Sequence, residues 1–144
     1  MSEMAEAKPV FLVPCSGIGK VHGLIGREAV FKVVQELRPG AGELACLAEI
    51  VTQDEDIQAR LHGRLAITVD GCPLMCAEKN VAWAGGEIYA SLRVIDAFRQ
   101  HRGAKAGDAT WLTDDGWLIA DDLAQTIAAK LDEARERGKD RAGN

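Results

Sequence analysis

Residues 66–79 read AITVDGCPLMCAEK, and this stretch decides the fold because it joins a strand to a helix through a short turn. The apolar, β-branched run at 66–69 predicts a buried strand, and the Asp70-Gly71 pair ends it. A buried strand that leads directly into a helix is the repeating unit of α/β proteins with parallel sheets. We therefore expect the rest of the chain to add further units of this kind.

Two cysteines stand at the turn itself. Pro73 is well tolerated at a first helical position, and good helix formers follow it, so the pattern predicts a helix over 74–84. Cys72 then lies at the mouth of the turn, with Cys76 one helical turn above it on the same face. Unpaired amides at a helix N-terminus favour thiolate over thiol, so both sulfurs are placed for chemistry.

Strands and helices alternate along the remaining chain. The apolar run Val10-Phe11-Leu12-Val13 predicts a central strand, and 88–95 predicts a fourth. Residues 43–47 fit a short strand or the start of a helix, and we favour the strand. Asp96 to Ala109 is expected to be a short helix or a loop. Helices are predicted over 21–37, over 54–63 with Asp54 as its cap, and over 121–137.

This alternation predicts an α/β fold, a three-layer sandwich around a mainly parallel four-stranded sheet of the Rossmann-like or flavodoxin-like kind. Right-handed crossovers give the strand order 2-1-3-4. At 144 residues the chain is long enough for one core and short for two. We expect a single domain over 9–137, with flexible tails at 1–8 and 138–144.

Composition excludes several classes of function. The net charge is -5 and the basic residues are dispersed, which argues against a nucleic-acid partner. The sequence has no apolar run long enough to cross a bilayer and no export signal at 1–8, so we expect a cytoplasmic protein without a membrane partner. Four cysteines in such a chain indicate thiols, metal ligands or redox groups rather than a disulfide framework.

The four cysteines are expected to meet at one edge of the sheet. Cys15, Cys46 and Cys72 each follow or end a predicted strand, and carboxyl ends of parallel strands converge. Cys76 joins them from the helix, which gives a four-sulfur pocket. Zinc prefers four such ligands in a tetrahedron at about 2.3 Å. Lys20 and Lys79 are placed to offset the negative charge of the site.

Each of these residues also has a possible role that is only structural. A cysteine is often a small core residue, and Cys46, between Ala45 and Leu47, fits the core nearly as well as a metal site. His22 could be a ligand or could orient one, although a local hydrogen bond at a helix start is the more common role. Asp70 is either a turn residue or a group that orients the loop or a lysine.

Three phosphate or nucleotide motifs fail on inspection. Gly19-Lys20 resembles the end of a P-loop, but Pro14 and Val21 occupy positions that require Gly and Ser or Thr. The glycines at 17, 19 and 23 miss the dinucleotide spacing by one residue. A cysteine-phosphatase loop needs an arginine where Val21 stands, which leaves Lys20 as the loop's cation.

Three segments together resemble the DGC-domain family: VPCSGIGK at 13–20, CLA at 46–48 and ITVDGCPLMC at 67–76. The central Asp70-Gly71-Cys72 matches the triplet that names the family. The resemblance extends from about Pro9 to the closing helix. The resemblance implies a zinc-binding protein. In this family the assignment as zinc-binding rests on four cysteines. Residue by residue, these fall on Cys15, Cys46, Cys72 and Cys76.

The leading hypothesis is therefore a small metal-binding protein that holds one zinc ion through these four cysteines, in a structural, regulatory or metal-handling role. An iron-sulfur cluster or a thiol redox centre is the alternative, because cysteinates bind clusters equally well. A cysteine-dependent enzyme is the third hypothesis, with Cys15 or Cys72 as nucleophile and Lys20 or Asp70 assisting. The sequence favours a protein without enzymatic activity and leaves any protein partner open.

Overall fold

A computed structural model describes residues 9–15, 19–71 and 73–142 of the chain. Its centre is a four-stranded sheet in which all pairs are parallel, in the order β2-β1-β3-β4. The strands are β1 (Val10–Pro14), β2 (Gly42–Leu44), β3 (Leu65–Asp70) and β4 (Glu87–Arg93). The α/β class, the parallel pairing and the strand order predicted from the sequence are confirmed.

The described residues form six α-helices, which connect and cover the strands. They are α1 (Val21–Lys32), α2 (Leu47–Val51), α3 (Glu55–Leu61), α4 (Cys76–Trp83), α5 (Val94–Phe98) and α6 (Asp114–Ala142). A π-helical turn, Val33–Leu37, extends α1 and ends where the Arg38 amide donates to the carbonyl of Val33 over 2.8 Å. Together these two segments cover the single helix predicted over 21–37.

Two apolar cores lie on opposite faces of the sheet, which makes the three layers. On one face Leu12 and Ile67 pack among buried side chains of α1 and α6, including Ile25 and Ile127. The other face holds a second cluster, whose members include Phe11, Val13, Ile50, Leu61 and Val81. Every residue of β1 and β3 is buried, as expected for central parallel strands covered on both sides.

Several element boundaries differ from the predictions. Val94 and Ile95 belong to α5, although their β-branched side chains favoured a strand through Ile95. Residues 43–47, which fit either a short strand or the start of a helix, contain part of each: β2 ends at Leu44 and α2 begins at Leu47. Asp54 does cap α3, because its carboxylate accepts a hydrogen bond from the Ile57 amide over 3.0 Å.

The last helix is longer than its apolar periodicity predicts. It begins at Asp114 rather than Asp121, because the Thr113 hydroxyl accepts a hydrogen bond from the Gly116 amide over 3.0 Å and caps the first turn. It continues to Ala142, through most of the segment predicted to be a tail. The other predicted tail, 1–8, lies outside the described residues. Within the described part of the chain, every helix is too short or too polar to cross a bilayer.

Candidate metal centre

A cavity of about 730 Å³ opens at the carboxyl ends of β1 and β3. The chain runs from β1 to one side of the sheet and later returns to the other, so this is the switch point where ligands of open α/β sheets bind. The beginnings of α1, α2 and α4 surround the opening. Lining residues that matter for the chemistry are Cys15, Lys20, His22, Asp70, Gly71 and Cys76.

Cys15 lies at the bottom of this site. It follows β1 directly, and its amide continues the sheet by donating to the carbonyl of Val69 over 2.9 Å. The side chain is buried, at 8% exposure, and its Sγ accepts a hydrogen bond from the Gly71 amide over 3.1 Å. An N–H group that points at a sulfur stabilises negative charge there, which suits a thiolate more than a thiol.

Gly71 occupies a position where a side chain would be tightly confined by the backbone of α1. A Cβ atom there would lie 3.2 Å from the amide nitrogen of Gly23 and 3.3 Å from the backbone carbonyl carbon of His22. The end of β3 therefore rests directly against the first turn of α1. This close approach holds the Gly71 amide within reach of the Cys15 sulfur.

Asp70 is the buried charge of the site, with 1% of its surface exposed. Its two carboxylate oxygens accept hydrogen bonds from the Ala77 amide over 2.8 Å and the Glu78 amide over 3.1 Å. Burial raises the pKa of this carboxyl, and the two amide bonds act in the opposite direction. Asp70 thus caps α4 from the preceding strand, a role that neither interpretation from the sequence, a turn residue or a group that orients the loop or a lysine, had included.

Cys76 is the first residue of α4 and is exposed at the cavity. The residue before it, Met75, has a left-handed backbone with φ of 55°, and residues 73–75 are not helical. The prediction that the helix starts at Pro73 or Leu74 is therefore wrong, and the predicted relation of Cys76 to Cys72 lies outside the described residues. Asp70 fixes the start of α4 through amides of its first turn, and local helix propensity does not show that contact.

Cys46 lies at the N-cap of α2 and is exposed. Its carbonyl accepts hydrogen bonds from the amides of Glu49 and Ile50. The next two residues of α2, Leu47 and Ala48, line the cavity that Cys15 and Cys76 share. Exposure excludes the core role that the sequence left open for Cys46.

Cys72, the fourth predicted ligand, lies outside the described residues. Among the residues that the structure does describe, no three His, Cys, Asp or Glu side chains are grouped so as to hold a metal ion. Of the predicted ligands, Cys15 and Cys76 are brought to one cavity and Cys46 to the start of a helix that lines it.

His22 faces the same cavity from the first turn of α1. Its ring packs against Phe98, with 4.5 Å between the centroids. Burial, together with the charge of Lys20, lowers the pKa of His22, so the ring is mostly neutral at pH 7. Neutral imidazole is the form that binds metals, but the ring contact gives His22 a packing role that the sequence did not indicate.

A second cavity, of about 200 Å³, shares Lys20, His22, Asp70 and Gly71 with the first. Its remaining lining residues are Pro73, Arg93 at the end of β4 and Ile95 in α5. Sequence reasoning missed Arg93, because a charged residue at a predicted strand end is usually an ordinary surface group. The contact between Gly71 and the first turn of α1 was also missed, because the spacing of residues along the chain does not reveal contacts between distant segments.

Comparison of the sequence with known families finds one match. The model of the DGC domain matches residues 11–112, from β1 to the loop before α6, which is more than two thirds of the chain. This range contains all four cysteines and the Asp70-Gly71-Cys72 triplet. The searches of curated proteins and of solved structures find no match. The chain belongs to the DGC-domain family.

Proposed function

We propose that this chain is a metal-binding protein that holds one zinc ion through Cys15, Cys46, Cys72 and Cys76. One observation carries the proposal: Cys15 and Cys76, far apart in sequence, line the same cavity at the switch point of the sheet. Ligands of open α/β sheets bind at this place, and cysteine sulfur is a preferred ligand of zinc.

The chemistry of the donor set fits a thiolate-bound metal. The Cys15 sulfur accepts an amide hydrogen bond, and sulfurs that ligate metals commonly receive such bonds. Both oxygens of Asp70 are engaged by α4, so this carboxylate supports the site without serving as a ligand. Cys46 and Cys76 are exposed, each at the start of a helix, and can approach an ion without disturbing the core.

A closed set of four cysteinates favours a structural, regulatory or metal-handling role. Hydrolytic zinc sites keep one coordination position open for water, and four cysteinates leave none. Such a site carries about -2 charge. Lys20 at the cavity wall supplies positive charge, and Lys79, exposed on α4, is near enough to Asp70 to act toward a lower pKa of its carboxyl.

Metal content tests the proposal. The full chain, purified without oxygen, is expected to contain about one zinc per chain and to lack visible absorption. Cys72→Ser and Cys76→Ser should each lower zinc affinity by at least about tenfold, because a metal site that loses one ligand is strongly weakened. Thr52→Val is the matched control, since it alters the cavity wall without removing a sulfur.

Two results would contradict the zinc assignment. A zinc content far below one ion per chain, together with an unchanged zinc titration of the Cys72→Ser variant, would exclude the zinc assignment. A visible absorption band that bleaches on reduction would assign the sulfurs to an iron-sulfur cluster instead.

A further inference from the structure

The first turns of α6 expose two large apolar side chains next to each other. Trp117 is 45% exposed and Leu118 is 56% exposed, whereas the buried apolar residues of the same helix, such as Ile119 and Leu123, belong to the core. Contiguous apolar surface, unlike a single exposed side chain, marks a place where another molecule binds. These two side chains are called the α6 patch below.

An acidic groove borders the α6 patch on the side of α1. It has a volume of about 330 Å³, lies between α1 with its π-helical extension and α6, and includes Trp117 in its wall. Its charged lining residues are Glu28, Lys32, Glu36 and Asp121. Lys32 pairs with Asp121 over 2.7 Å. The groove therefore keeps the two carboxylates of Glu28 and Glu36 in excess.

A basic segment borders the α6 patch on the other side. Residues 99–105 contain no acidic residue, and their exposed basic side chains are Arg99, Arg102 and Lys105. A hydrogen bond between the His101 ring and the Asp122 carboxylate joins this segment to α6. Arg99 pairs with Asp96 over 3.2 Å, so Arg102 and Lys105 carry the excess positive charge.

The helical repeat places the α6 patch between these two charged regions. Asp121 follows Trp117 by four residues and lies on the same side of α6, where it pairs with a lysine of α1. Asp122 follows Leu118 by four residues and lies on the side that meets His101. The two acidic residues in the first turn of α6 are favourable to the helix N-terminus. Across the surface the order is acidic groove, Trp117, Leu118 and basic segment.

We propose that this surface binds a second copy of the chain and forms a two-fold symmetric dimer. Both the acidic groove and the basic segment that complements it belong to this chain, which identifies the occupant as another copy. A two-fold axis along α6, between the two side chains of the patch, places Trp117 of one copy against Leu118 of the other. The same rotation places each acidic groove opposite the basic segment of the other copy. Apolar burial then supplies affinity, and the opposite charges fix the orientation.

Sedimentation equilibrium of the full chain over a micromolar range of concentration tests the dimer. The weight-average mass should rise with concentration from the 15.5 kDa of one chain toward twice that value. Trp117→Ser should weaken self-association by at least about tenfold, because a large apolar side chain near the centre of an interface carries much of its affinity. Trp83→Ser is the matched control, since Trp83 is exposed on α4, which covers the opposite face of the sheet.

Charge reversal tests the orientation of the two copies. Glu36→Arg and Arg102→Glu should each weaken self-association by at least about tenfold, because the symmetry brings each reversed charge against like charge twice. An equimolar mixture of these two variants should dimerise as the wild type does, since each reversed charge then faces the opposite charge of the other variant. Glu55→Arg is the matched control: it makes the same change in charge at an exposed position of α3, on the opposite face of the sheet.

Urea unfolding of the dilute variants checks that each one folds, and little change is expected because every substituted side chain is exposed. A mass of 15.5 kDa at every concentration of the wild type would overturn the proposal. A mixture of Glu36→Arg and Arg102→Glu that associates no better than either variant alone would overturn it as well. The result does not depend on zinc, because the surface contains none of the proposed ligands.

Discussion

The amide of Gly71 donates a hydrogen bond to the sulfur of Cys15 over 3.1 Å, and this contact joins the ends of the two central strands. The first two residues of the Asp-Gly-Cys triplet have separate functions. Asp70 caps α4, and Gly71 both fits against α1 and donates to the sulfur. These two residues therefore build the surroundings in which a ligand thiolate at residue 15 would be stabilised.

Gly71→Ala should destabilise the fold by about 1–3 kcal/mol, because the new Cβ would press on backbone atoms of α1 that cannot easily move. Urea unfolding measures the change. Gly26→Ala is the matched control, since its Cβ would meet side-chain atoms of Val94 and Val69 and alanine favours the helix. Equal effects of the two substitutions would contradict the close contact assigned to Gly71.

Asp70→Asn should lower the free energy of unfolding by about 1–3 kcal/mol, because the amide has one acceptor oxygen for two amide donors, one buried and one partly buried. Asp54→Asn is the control: aspartate and asparagine are similar at an exposed N-cap, so little change is expected. Urea unfolding compares the two. If Asp70→Asn lowers the free energy of unfolding no more than Asp54→Asn does, the Asp70 carboxylate does not fix the start of α4.

Thiol labelling separates a metal site from a cysteine-dependent enzyme. In metal-free protein Cys46 and Cys76 should react with iodoacetamide faster than Cys15, because both are exposed and Cys15 is buried. Mass spectrometry of the digested protein gives the rate at each position. Labelling of Cys15 far ahead of the others at neutral pH would instead indicate an activated nucleophile.

The pair of Arg38 and Asp132 predicts a pH dependence of stability. Two hydrogen bonds, of 2.8 and 2.9 Å, join the guanidinium to the carboxylate and lower the pKa of Asp132 below its ordinary 3.8. The unfolded chain then binds the proton more readily, so the stabilisation is present above pH 3.8 and is lost as the pH falls through the folded pKa.

Urea unfolding of Asp132→Asn across this range checks that sign. The stability difference from the wild type should be constant near neutral pH and should shrink in acid. In an Arg38→Gln background the pH dependence of the difference should become smaller, because Arg38 is the main cause of the lowered pKa and Arg135 is a lesser one. A difference that stays constant from neutral pH to below 3.8 would show that the pair does not lower this pKa.

The sheet could be predicted from sequence because its central strands are short, continuous apolar runs bounded by turn residues. Val10-Phe11-Leu12-Val13 and residues 66–69 have this form, and right-handed crossovers then set the strand order. Boundaries controlled by contacts between side chains and backbone were harder to predict. Thr113 begins α6 before its apolar periodicity does, and Asp70 delays α4 to Cys76.

The approach of Cys15 and Cys76 to one cavity could be predicted for a topological reason. Carboxyl ends of parallel strands converge, so cysteines that follow strands are brought toward one edge of the sheet. Cys15 and Cys76 line one cavity there. The role of Gly71 could not be predicted, because it depends on β3 and α1 meeting after folding, and no local motif connects them.

X-ray absorption at the zinc edge tests the central claim most directly. The full chain, purified without oxygen, should give a shell of about four sulfur atoms near 2.3 Å from zinc. Cys15→Ser and Cys76→Ser should each reduce the number of sulfurs by about one. A shell made of nitrogen and oxygen alone at about 2.0–2.2 Å, or a sulfur shell that neither substitution changes, would contradict zinc binding by these cysteines.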